Sequence, residues 1–251
     1  MRNIGLLLLL IPGFYSCSPV LVPEVSNAVI TTVDSVNVSE VDSSAMRIIS
    51  PYRDSMQKSM NEILAFSEQS MSRGLPESLL GNFVADIVLD RASVALQGNG
   101  NPVPDFCLLN NGGLRSSLPA GSILLRHAYE LMPFDNEIVI LELSGSDTEK
   151  LFQFICEKKG APVSGVRIVI DSTGCADVMI RNTPFNKNRN YKVATSDYLA
   201  GGGDGADFFK GALSEVKTGI KVRDAIIDYL RSETAQGRNI KYSTDGRITN
   251  R

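Results

Sequence analysis

The amino-acid sequence predicts an α+β fold in which a mixed sheet is flanked by helices. Two observations favour this class. Segments with a helical spacing of apolar residues are interleaved with strand-like segments, and the strand-like segments cluster after Glu137 in the manner of antiparallel neighbours. The roughly 205 residues that follow the N-terminal region are enough for a single domain with a sizeable core.

Two helices are predicted in the first part of this domain. Ser50 and Pro51 are typical of a helix start, because serine caps free backbone amides and proline at the first position has no amide to leave unpaired. A second helix is predicted to start at Pro76–Glu77, and we expect it to be central because it is apolar on more than one side. The apolar residues of the first helix are Ile48, Tyr52, Met56, Met60, Ile63 and Leu64, and those of the second are Leu79, Leu80, Phe83, Val84, Ile87, Val88 and Leu96.

The rest of the domain alternates between strands and helices. Alternation of apolar and polar residues predicts strands at Glu137–Leu143 and Tyr191–Ser196. Between them, Ser146 and Glu149 have the spacing of a capping box, which predicts a helix that reaches about Lys158. The other predicted elements are a strand at Asp105–Leu109, a helix over about 122–131, strands at Val166–Ile170 and Cys175–Arg181, a helix at Lys221–Arg231 and a closing segment at Gly246–Ile248.

The N-terminus resembles a bacterial lipoprotein signal. Arg2 is followed by an apolar run at Leu6–Ile11, which is far shorter than the about 20 residues that a transmembrane helix needs. Ser16 and Cys17 then resemble a lipobox, which implies cleavage before Cys17 and attachment of lipid to it, with ordinary secretion as the alternative. We therefore expect a signal peptide at 1–16, a tether at 17–44 and a domain at 45–251, exported and anchored to the bacterial outer membrane on its periplasmic or surface face.

The net charge argues against one class of partner, and the cysteine content argues against two kinds of structural cross-link. The formal net charge is −3 and there is no basic run, which argues against nucleic acid as a partner. Apart from Cys17, the cysteines are Cys107, Cys156 and Cys175, and no Cys-x-x-Cys spacing occurs. This odd number argues against a disulfide framework and against a structural zinc site, so at most one pair can form and we expect buried thiols.

Three loops, each of which follows an apolar segment, carry side chains suited to binding a small molecule. They are Asn110–Arg115, Pro133–Asn136 and Tyr198–Asp204. If these loops converge, Phe134 and Tyr198 can clamp a planar ring, and such stacking is worth on the order of 1 kcal/mol per ring beyond burial. The spacing alone leaves open the alternative that each is a tight loop whose aromatic residue fills the core.

The polar residues of the same loops suit the edges and the end of such a ligand. Asn110, Asn136 and Asp204 supply hydrogen-bonding groups, and Arg115 presents planar donors that suit phosphate or carboxylate. Glycines let the backbone turn sharply or approach a ligand closely. Those in these loops are Gly112, Gly113, Gly202 and Gly203.

Five motifs occur in an order that resembles a known family. They are NNGGLR, PFDN, VSGVRIVID, YLAGGGDG and the terminal DGRI. Together they resemble the C-terminal domain of the bacterial 5′-nucleotidase/UDP-sugar hydrolase and ecto-5′-nucleotidase family, and the resemblance covers Ser50–Arg251. It implies the mixed α+β architecture of that domain. It also implies that Phe134 and Tyr198 stack on a nucleobase, although the family commonly has phenylalanine at the second position.

By the same resemblance, the polar residues take distinct roles. Asn110 and Arg115 fall on substrate-contacting positions, with Arg115 on the phosphate or ribose side. Asn136 falls on a position that contacts the base, and Asp204 on one that contacts the ribose. The family usually has further arginines just ahead of its second helix, whereas this sequence has only Arg73 there, and out of register. Phosphate binding is therefore expected to be weaker here, or to be supplied by something else.

The sequence lacks the catalytic half that the resemblance would imply. Full-length members of the family carry an N-terminal metallophosphoesterase domain with two metal ions, and such centres need several His and Asp or Asn ligands. This sequence has one histidine, His127, in the predicted helix before Phe134, where a packed or surface role is expected. We therefore expect no metal site in this chain, and divalent metals only in a separate metallophosphoesterase partner.

The function predicted from these observations is nucleotide recognition in a split 5′-nucleotidase. The chain would bind the base and ribose of a nucleotide, and a separate metallophosphoesterase chain would hydrolyse its phosphate. Two alternatives stay open: a non-catalytic lipoprotein that binds nucleosides or nucleotides, and hydrolysis by this chain alone at an unrecognised site. Asp204 and Asp207 have no fixed geometry as a carboxylate pair on a glycine loop, and no Gly-x-Ser-x-Gly motif is present.

Overall fold

The computed structural model describes residues 42–97 and 103–251. The predicted signal peptide, Cys17 and nearly all of the predicted tether lie outside these residues. The chain divides into two units, Met1–Ile49 and Ser50–Arg251, and the second contains the sheets that position the candidate site. Within the described ranges, no helix combines the length and the hydropathy that crossing a membrane requires.

The first helix starts earlier than predicted. Helix α1 spans Ser43–Met60 and has Pro51 inside it, so the predicted start at Ser50 is wrong. The carboxylate of Asp42 accepts hydrogen bonds from the amides of Ser44 and Ala45, at 2.8 and 3.2 Å. Asp42 therefore supplies the cap that Ser50 was expected to supply.

The apolar face predicted for this helix includes two residues that lie outside the helix, and the rest of that face is not buried. Tyr52 and Met56 are exposed, and none of the residues of α1, all of which the structure describes, is buried. Ile63 and Leu64 belong instead to strand β1, Ile63–Ser67, which pairs in antiparallel fashion with β3, Gly121–Leu124. The predicted helix over 122–131 is correspondingly shorter, and α3 spans Leu125–Leu131.

A five-stranded mixed sheet forms the centre of the second unit. Its strands are β2 (Phe106–Leu108), β4 (Glu137–Leu143), β5 (Val163–Ser164), β9 (Tyr191–Ser196) and β10 (Ser214–Lys221). They lie in the order β10, β4, β9, β2, β5; β2 and β9 are parallel, and the other neighbours are antiparallel. The predicted mixed sheet is confirmed, as are the predicted bounds of β4 and β9.

Helices cover one face of this sheet, and a helix with a second sheet covers the other. Successive residues of a strand point to opposite faces. Ile138 and Ile140 of β4 belong to the core formed with α2 (Leu79–Gln97) and α6 (Val222–Ala235), and the short helix α5 (Asp197–Ala200) directly follows β9. Leu141 and Leu143 of β4 belong to a second core, which includes side chains of α4 (Gly145–Glu157). Ten of the 19 residues of α2 are buried, which confirms that this helix is central.

The second sheet has four strands and completes the second core. Its strands are β6 (Val166–Asp171), β7 (Gly174–Ile180), β8 (Thr183–Pro184) and β11 (Ile248–Asn250). β6, β7 and β8 form an antiparallel meander, and β11 adds to β6 in parallel. The terminal DGRI motif therefore leads directly into a strand of this sheet.

Local caps explain two helix boundaries that differ from the predictions. Helix α4 is capped by Ser144, whose hydroxyl accepts from the amide of Asp147 at 3.1 Å, and not by Ser146. Helix α2 follows Ser78, whose hydroxyl accepts from the amide of Gly81 at 3.1 Å. In each case several serines or acidic residues are adjacent in sequence, and the backbone turn decides which one reaches a free amide.

The expectation of buried thiols is confirmed for Cys107 and wrong for the other two cysteines. Cys107 is buried and free, and burial raises the pKa of its thiol well above the usual value. Cys156 and Cys175 form a disulfide with their Cα atoms 5.7 Å apart, which joins the last turn of α4 to the start of β7. Because the two residues are 19 positions apart, only the packing of α4 on the second sheet brings them within bonding distance.

Candidate functional site

The topology of the central sheet brings three loops to one edge. β2 and β9 are parallel, with Phe106 beside Val193, so their carboxyl ends lie at the same edge. β4 is antiparallel to β9, with Ile138 beside Ser196, which places the amino end of β4 at that edge as well. The loops after β2, before β4 and after β9 are the three that the sequence analysis singled out. Strand pairing, which sequence spacing does not reveal, brings them together.

All six side chains predicted to contact a ligand line one cleft of about 290 Å³, which we call the aromatic cleft. Gly112 and Gly113 also line it, whereas Gly202 and Gly203 do not. The convergence that the spacing left open is therefore observed, and the volume approaches that of typical small-molecule pockets. The six side chains are those of Asn110, Arg115, Phe134, Asn136, Tyr198 and Asp204.

The two aromatic residues of the cleft present ring surface to solvent. Phe134 is 46% exposed and Tyr198 is 45% exposed, so neither fills the core and the alternative of core-filling aromatics is wrong. Among the described residues, neither ring contacts another aromatic ring. Large apolar side chains exposed together in a concave, polar-rimmed surface are typical of a binding site.

A buried arginine that the sequence analysis missed holds the loop of Phe134. Arg223, in the first turn of α6, donates to the backbone carbonyls of Met132 and Pro133 at 3.2 and 3.3 Å and pairs with the carboxylate of Asp135. Lys221 pairs with the same carboxylate at 2.9 Å. Hydrogen bonds from Lys221 and then Arg223 lower the pKa of Asp135 below its usual value. The loop is thus fixed from a helix that lies far away in sequence.

Asp204 connects two of the three loops. Its Oδ2 accepts from the side-chain amide of Asn110 at 2.6 Å, and its Oδ1 accepts from the hydroxyl of Tyr198 at 2.8 Å. This hydrogen bond raises the pKa of the Tyr198 hydroxyl, so the phenol stays protonated and continues to donate. The hydroxyl by which Tyr198 differs from the phenylalanine common in the family therefore ties the ring to Asp204. Each carboxylate oxygen retains a lone pair for a ligand donor.

Three of the four predicted glycines are required by their surroundings. A Cβ at Gly203 would lie 2.5 Å from the ring atoms Cε1 and Cζ of Tyr198, and one at Gly113 would lie 2.9 Å from Oδ1 of Asn110. Gly202 has a φ of 89°, a conformation that glycine adopts without strain. Gly112 meets only ordinary contacts, the nearest at 3.5 Å. Gly203 and Gly113 therefore leave the space that the side chains of Tyr198 and Asn110 occupy.

The two arginines near the first loop differ in position. Arg115 lines the aromatic cleft, its Nη1 donates to the carbonyl of Gly112 at 3.3 Å, and it forms no ion pair among the described residues. Arg73 instead donates to the carbonyls of Asn111 and Leu114, both at 3.3 Å, and does not line the cleft. Arg73 therefore braces the loop, and Arg115 is the arginine that lines the aromatic cleft.

The lone histidine has a structural role. Nδ1 of His127 accepts a hydrogen bond from the amide of Leu124 at 3.1 Å and so caps the start of α3. In the part of the chain that the structure describes, no three or more His, Cys, Asp or Glu side chains are grouped to hold a metal ion.

These features define an α+β domain with a small-molecule-sized cleft at one edge of its mixed sheet. The chain belongs to the family of the 5′-nucleotidase C-terminal domain, whose model matches residues 58–211.

Curated proteins that are similar in sequence agree with this membership. Protein UshA of Yersinia enterocolitica is 30% identical over 135 residues, which cover 52% of this chain and 24% of that protein. A 5′-nucleotidase of Vibrio parahaemolyticus is 23% identical over 217 residues, which cover 82% of this chain and 37% of that protein. The chain thus spans well under half the length of these relatives.

Solved structures show the same fold. The 5′-nucleotidase precursor from Thermus thermophilus superposes with a TM-score of 0.70 at 24% identity, over 82% of this chain and 43% of that one. The NAD nucleotidase of Haemophilus influenzae superposes with a TM-score of 0.62 at 18% identity, over 83% of this chain and 41% of that one. The predicted fold class is confirmed by these likenesses.

Proposed function

We propose that this domain recognises a nucleotide by its base and ribose, for hydrolysis of the phosphate by a separate metallophosphoesterase chain. The observation that carries the proposal is the convergence of two half-exposed rings, an acceptor carboxylate and an exposed guanidinium in one cleft. Membership of the 5′-nucleotidase C-terminal domain family supports it.

The base is proposed to lie between Phe134 and Tyr198. A nucleobase is planar and apolar on its faces, and each ring contributes about 1 kcal/mol of stacking beyond burial. Because Tyr198 is held by Asp204 and Phe134 by a loop anchored on α6, both rings are positioned before the ligand arrives. Preorganised rings lose little side-chain entropy on binding. Asn136, on the wall of the same cleft, meets the polar edge of the base.

The ribose and phosphate are proposed to meet Asp204 and Arg115. A ribose carries a vicinal pair of hydroxyl donors, and Asp204 is the only carboxylate that lines the aromatic cleft among the described residues. Asn110, which donates to Asp204, fixes the carboxylate and offers its own amide oxygen. Arg115, without an ion pair in the described chain, suits the anionic end of the nucleotide.

The metals and the hydrolytic chemistry are proposed to belong to the partner chain. Two-metal phosphoesterase centres use several His and Asp ligands. The sequence contains one histidine, and its ring caps α3. The complex is proposed to act at the bacterial cell envelope, where lipid on Cys17 would hold this chain at the outer membrane. The sequence around Ser16 and Cys17 supports that localisation.

Calorimetric titration of the purified protein with adenosine, AMP and UMP tests the recognition step. We expect dissociation constants in the micromolar to millimolar range, which correspond to about 4 to 8 kcal/mol of binding free energy.

Purification from native membranes with the lipid anchor intact then tests the split enzyme, which requires a co-purifying metallophosphoesterase. Nucleoside binding with no such partner would favour a non-catalytic binding lipoprotein.

Replacing Gly203 by alanine should weaken adenosine binding about tenfold, or about 1.4 kcal/mol, because the new Cβ displaces the ring of Tyr198. Gly201→Ala is the matched control, since Gly201 has a φ of −72° and a Cβ there meets nothing nearer than 3.4 Å. Both variants are titrated with adenosine. Equal affinities would show that the position of the Tyr198 ring does not matter for binding.

A further inference from the structure

A second cleft, of about 320 Å³, adjoins the aromatic cleft. The two clefts share Asn110, Gly112 and Asp204, so the hydrogen-bonded pair of Asn110 and Asp204 forms a common wall. We call the second one the lysine cleft. The residues that line the lysine cleft and not the aromatic cleft are Leu75, Leu109, Asn111, Phe154, Lys158, Gly160 and Ala161.

Lys158 brings an unpaired positive charge to this cleft. Its Nζ lies 5.5 Å from the centroid of the Phe154 ring, and no carboxylate pairs with it among the described residues. The ring leaves the ammonium its positive charge and three donors. A lysine in such a place is available to an anionic ligand.

The backbone that carries Lys158 is fixed. The residue caps the C-terminal end of α4, and its amide donates to the carbonyl of Phe154 at 3.0 Å. Two residues later the chain passes close to another segment, because a Cβ at Gly160 would lie 2.2 Å from the carbonyl oxygen of Pro76. The lysine is thus presented from a defined point on the cleft wall.

The same cleft contains an acceptor that lacks a partner. Oδ1 of Asn111 is buried and makes no hydrogen bond within the described residues. Buried polar atoms without a partner are rare. This oxygen is closed to solvent and can only accept hydrogen bonds, so it does not attract an anion, and Lys158 is the group of the cleft that does.

The common wall determines which part of a nucleotide reaches the lysine cleft. With the base between Phe134 and Tyr198, the ribose hydroxyl pair is the donor group that matches Asp204. Arg115 lines only the aromatic cleft, and Lys158 lines only the lysine cleft. A 5′-phosphate is thereby directed to Arg115, and a substituent on the 2′ or 3′ oxygen is directed past Asp204 toward Lys158.

We propose that the lysine cleft binds an anionic group on the ribose 2′ or 3′ oxygen, so that the domain recognises nucleotides phosphorylated there. This inference rests on the proposed function, because it needs the base in the aromatic cleft. Asp204 opposes a phosphate beside it, and Lys158, the only other charged residue of the lysine cleft in the described chain, offsets that repulsion.

Calorimetric titrations with adenosine, 5′-AMP, 2′-AMP and 3′-AMP test the inference. At least one of 2′-AMP and 3′-AMP should bind the wild type about tenfold more tightly than adenosine does, as expected of one added contact to a charged group. In Lys158→Gln that preference should vanish or reverse, because Asp204 then repels the phosphate alone. Affinities for adenosine and 5′-AMP should stay unchanged.

Lys159→Gln is the matched control. Lys159 is the adjacent lysine, it is exposed, and it lines neither cleft. It should keep the preference of the wild type, which separates contact at Lys158 from the general effect of removing one charge. Adenosine binding without a gain for either 2′-AMP or 3′-AMP, or a gain that persists in Lys158→Gln, would overturn the inference and leave the nucleoside site intact. Absence of adenosine binding would overturn both.

Discussion

Replacing Phe134 and Tyr198 together by alanine should weaken adenosine binding about a thousandfold. Each ring is expected to contribute about 1 kcal/mol of stacking and about 1 kcal/mol from the apolar area that the base buries against it. The sum of about 4 kcal/mol corresponds to a factor of about a thousand in the dissociation constant. Since both rings are nearly half exposed, the free energy of unfolding should change little.

Two further variants make this experiment specific. Phe66→Ala removes a ring that is 50% exposed on β1 and lines neither cleft, and it should leave adenosine affinity unchanged. Tyr198→Phe keeps the ring and removes only the hydroxyl bonded to Asp204, so it should retain most of the affinity. A doubly substituted protein that is folded by circular dichroism and still binds adenosine as the wild type does would show that the base lies elsewhere.

The parts of the fold that were predictable are those with a strong local strand pattern. Glu137–Leu143 is apolar except for its two glutamates, Tyr191–Ser196 places Tyr191, Val193 and Thr195 at every second position, and both strands have the predicted bounds. β10, Ser214–Lys221, was missed because it is an edge strand that is exposed along most of its length and therefore has little apolar alternation. The start of α1 was missed because Asp42, and not Ser50, caps the helix.

The site residues were predictable one loop at a time, but not as a site. The residues around each loop do not reveal that β2 pairs in parallel with β9. This pairing brings the loops together, so that Nδ2 of Asn110 lies 2.6 Å from Oδ2 of Asp204. Arg223 was missed for a related reason, since in sequence it is only a polar residue at the start of an amphipathic helix. Its hydrogen bonds to the carbonyls of Met132 and Pro133 join segments about 90 positions apart and exist only in the folded chain.

Loss of the Cys156–Cys175 disulfide should lower the free energy of unfolding by about 3 kcal/mol, because the cross-link restricts a loop of about 20 residues in the unfolded chain. The change is Cys156→Ala with Cys175→Ala, and the measurement is equilibrium unfolding in guanidinium chloride. A loss of this size is large, because the total free energy of unfolding of a typical domain is about 5–15 kcal/mol. An exported chain, as proposed here, would meet the oxidising conditions under which such a bond persists.

Reduction of the wild type provides the matching control, because dithiothreitol should lower its stability to that of the double variant and leave the variant itself unchanged. An unfolding midpoint that stays constant while thiol titration shows both sulfurs free would contradict the prediction.

Cys156 also lies two residues from Phe154 and two from Lys158, so the disulfide holds the end of α4 that forms part of the lysine cleft. Its loss should therefore reduce the preference for 2′- or 3′-phosphorylated ligands more than the affinity for adenosine, whose proposed contacts lie on the loops at the edge of the central sheet.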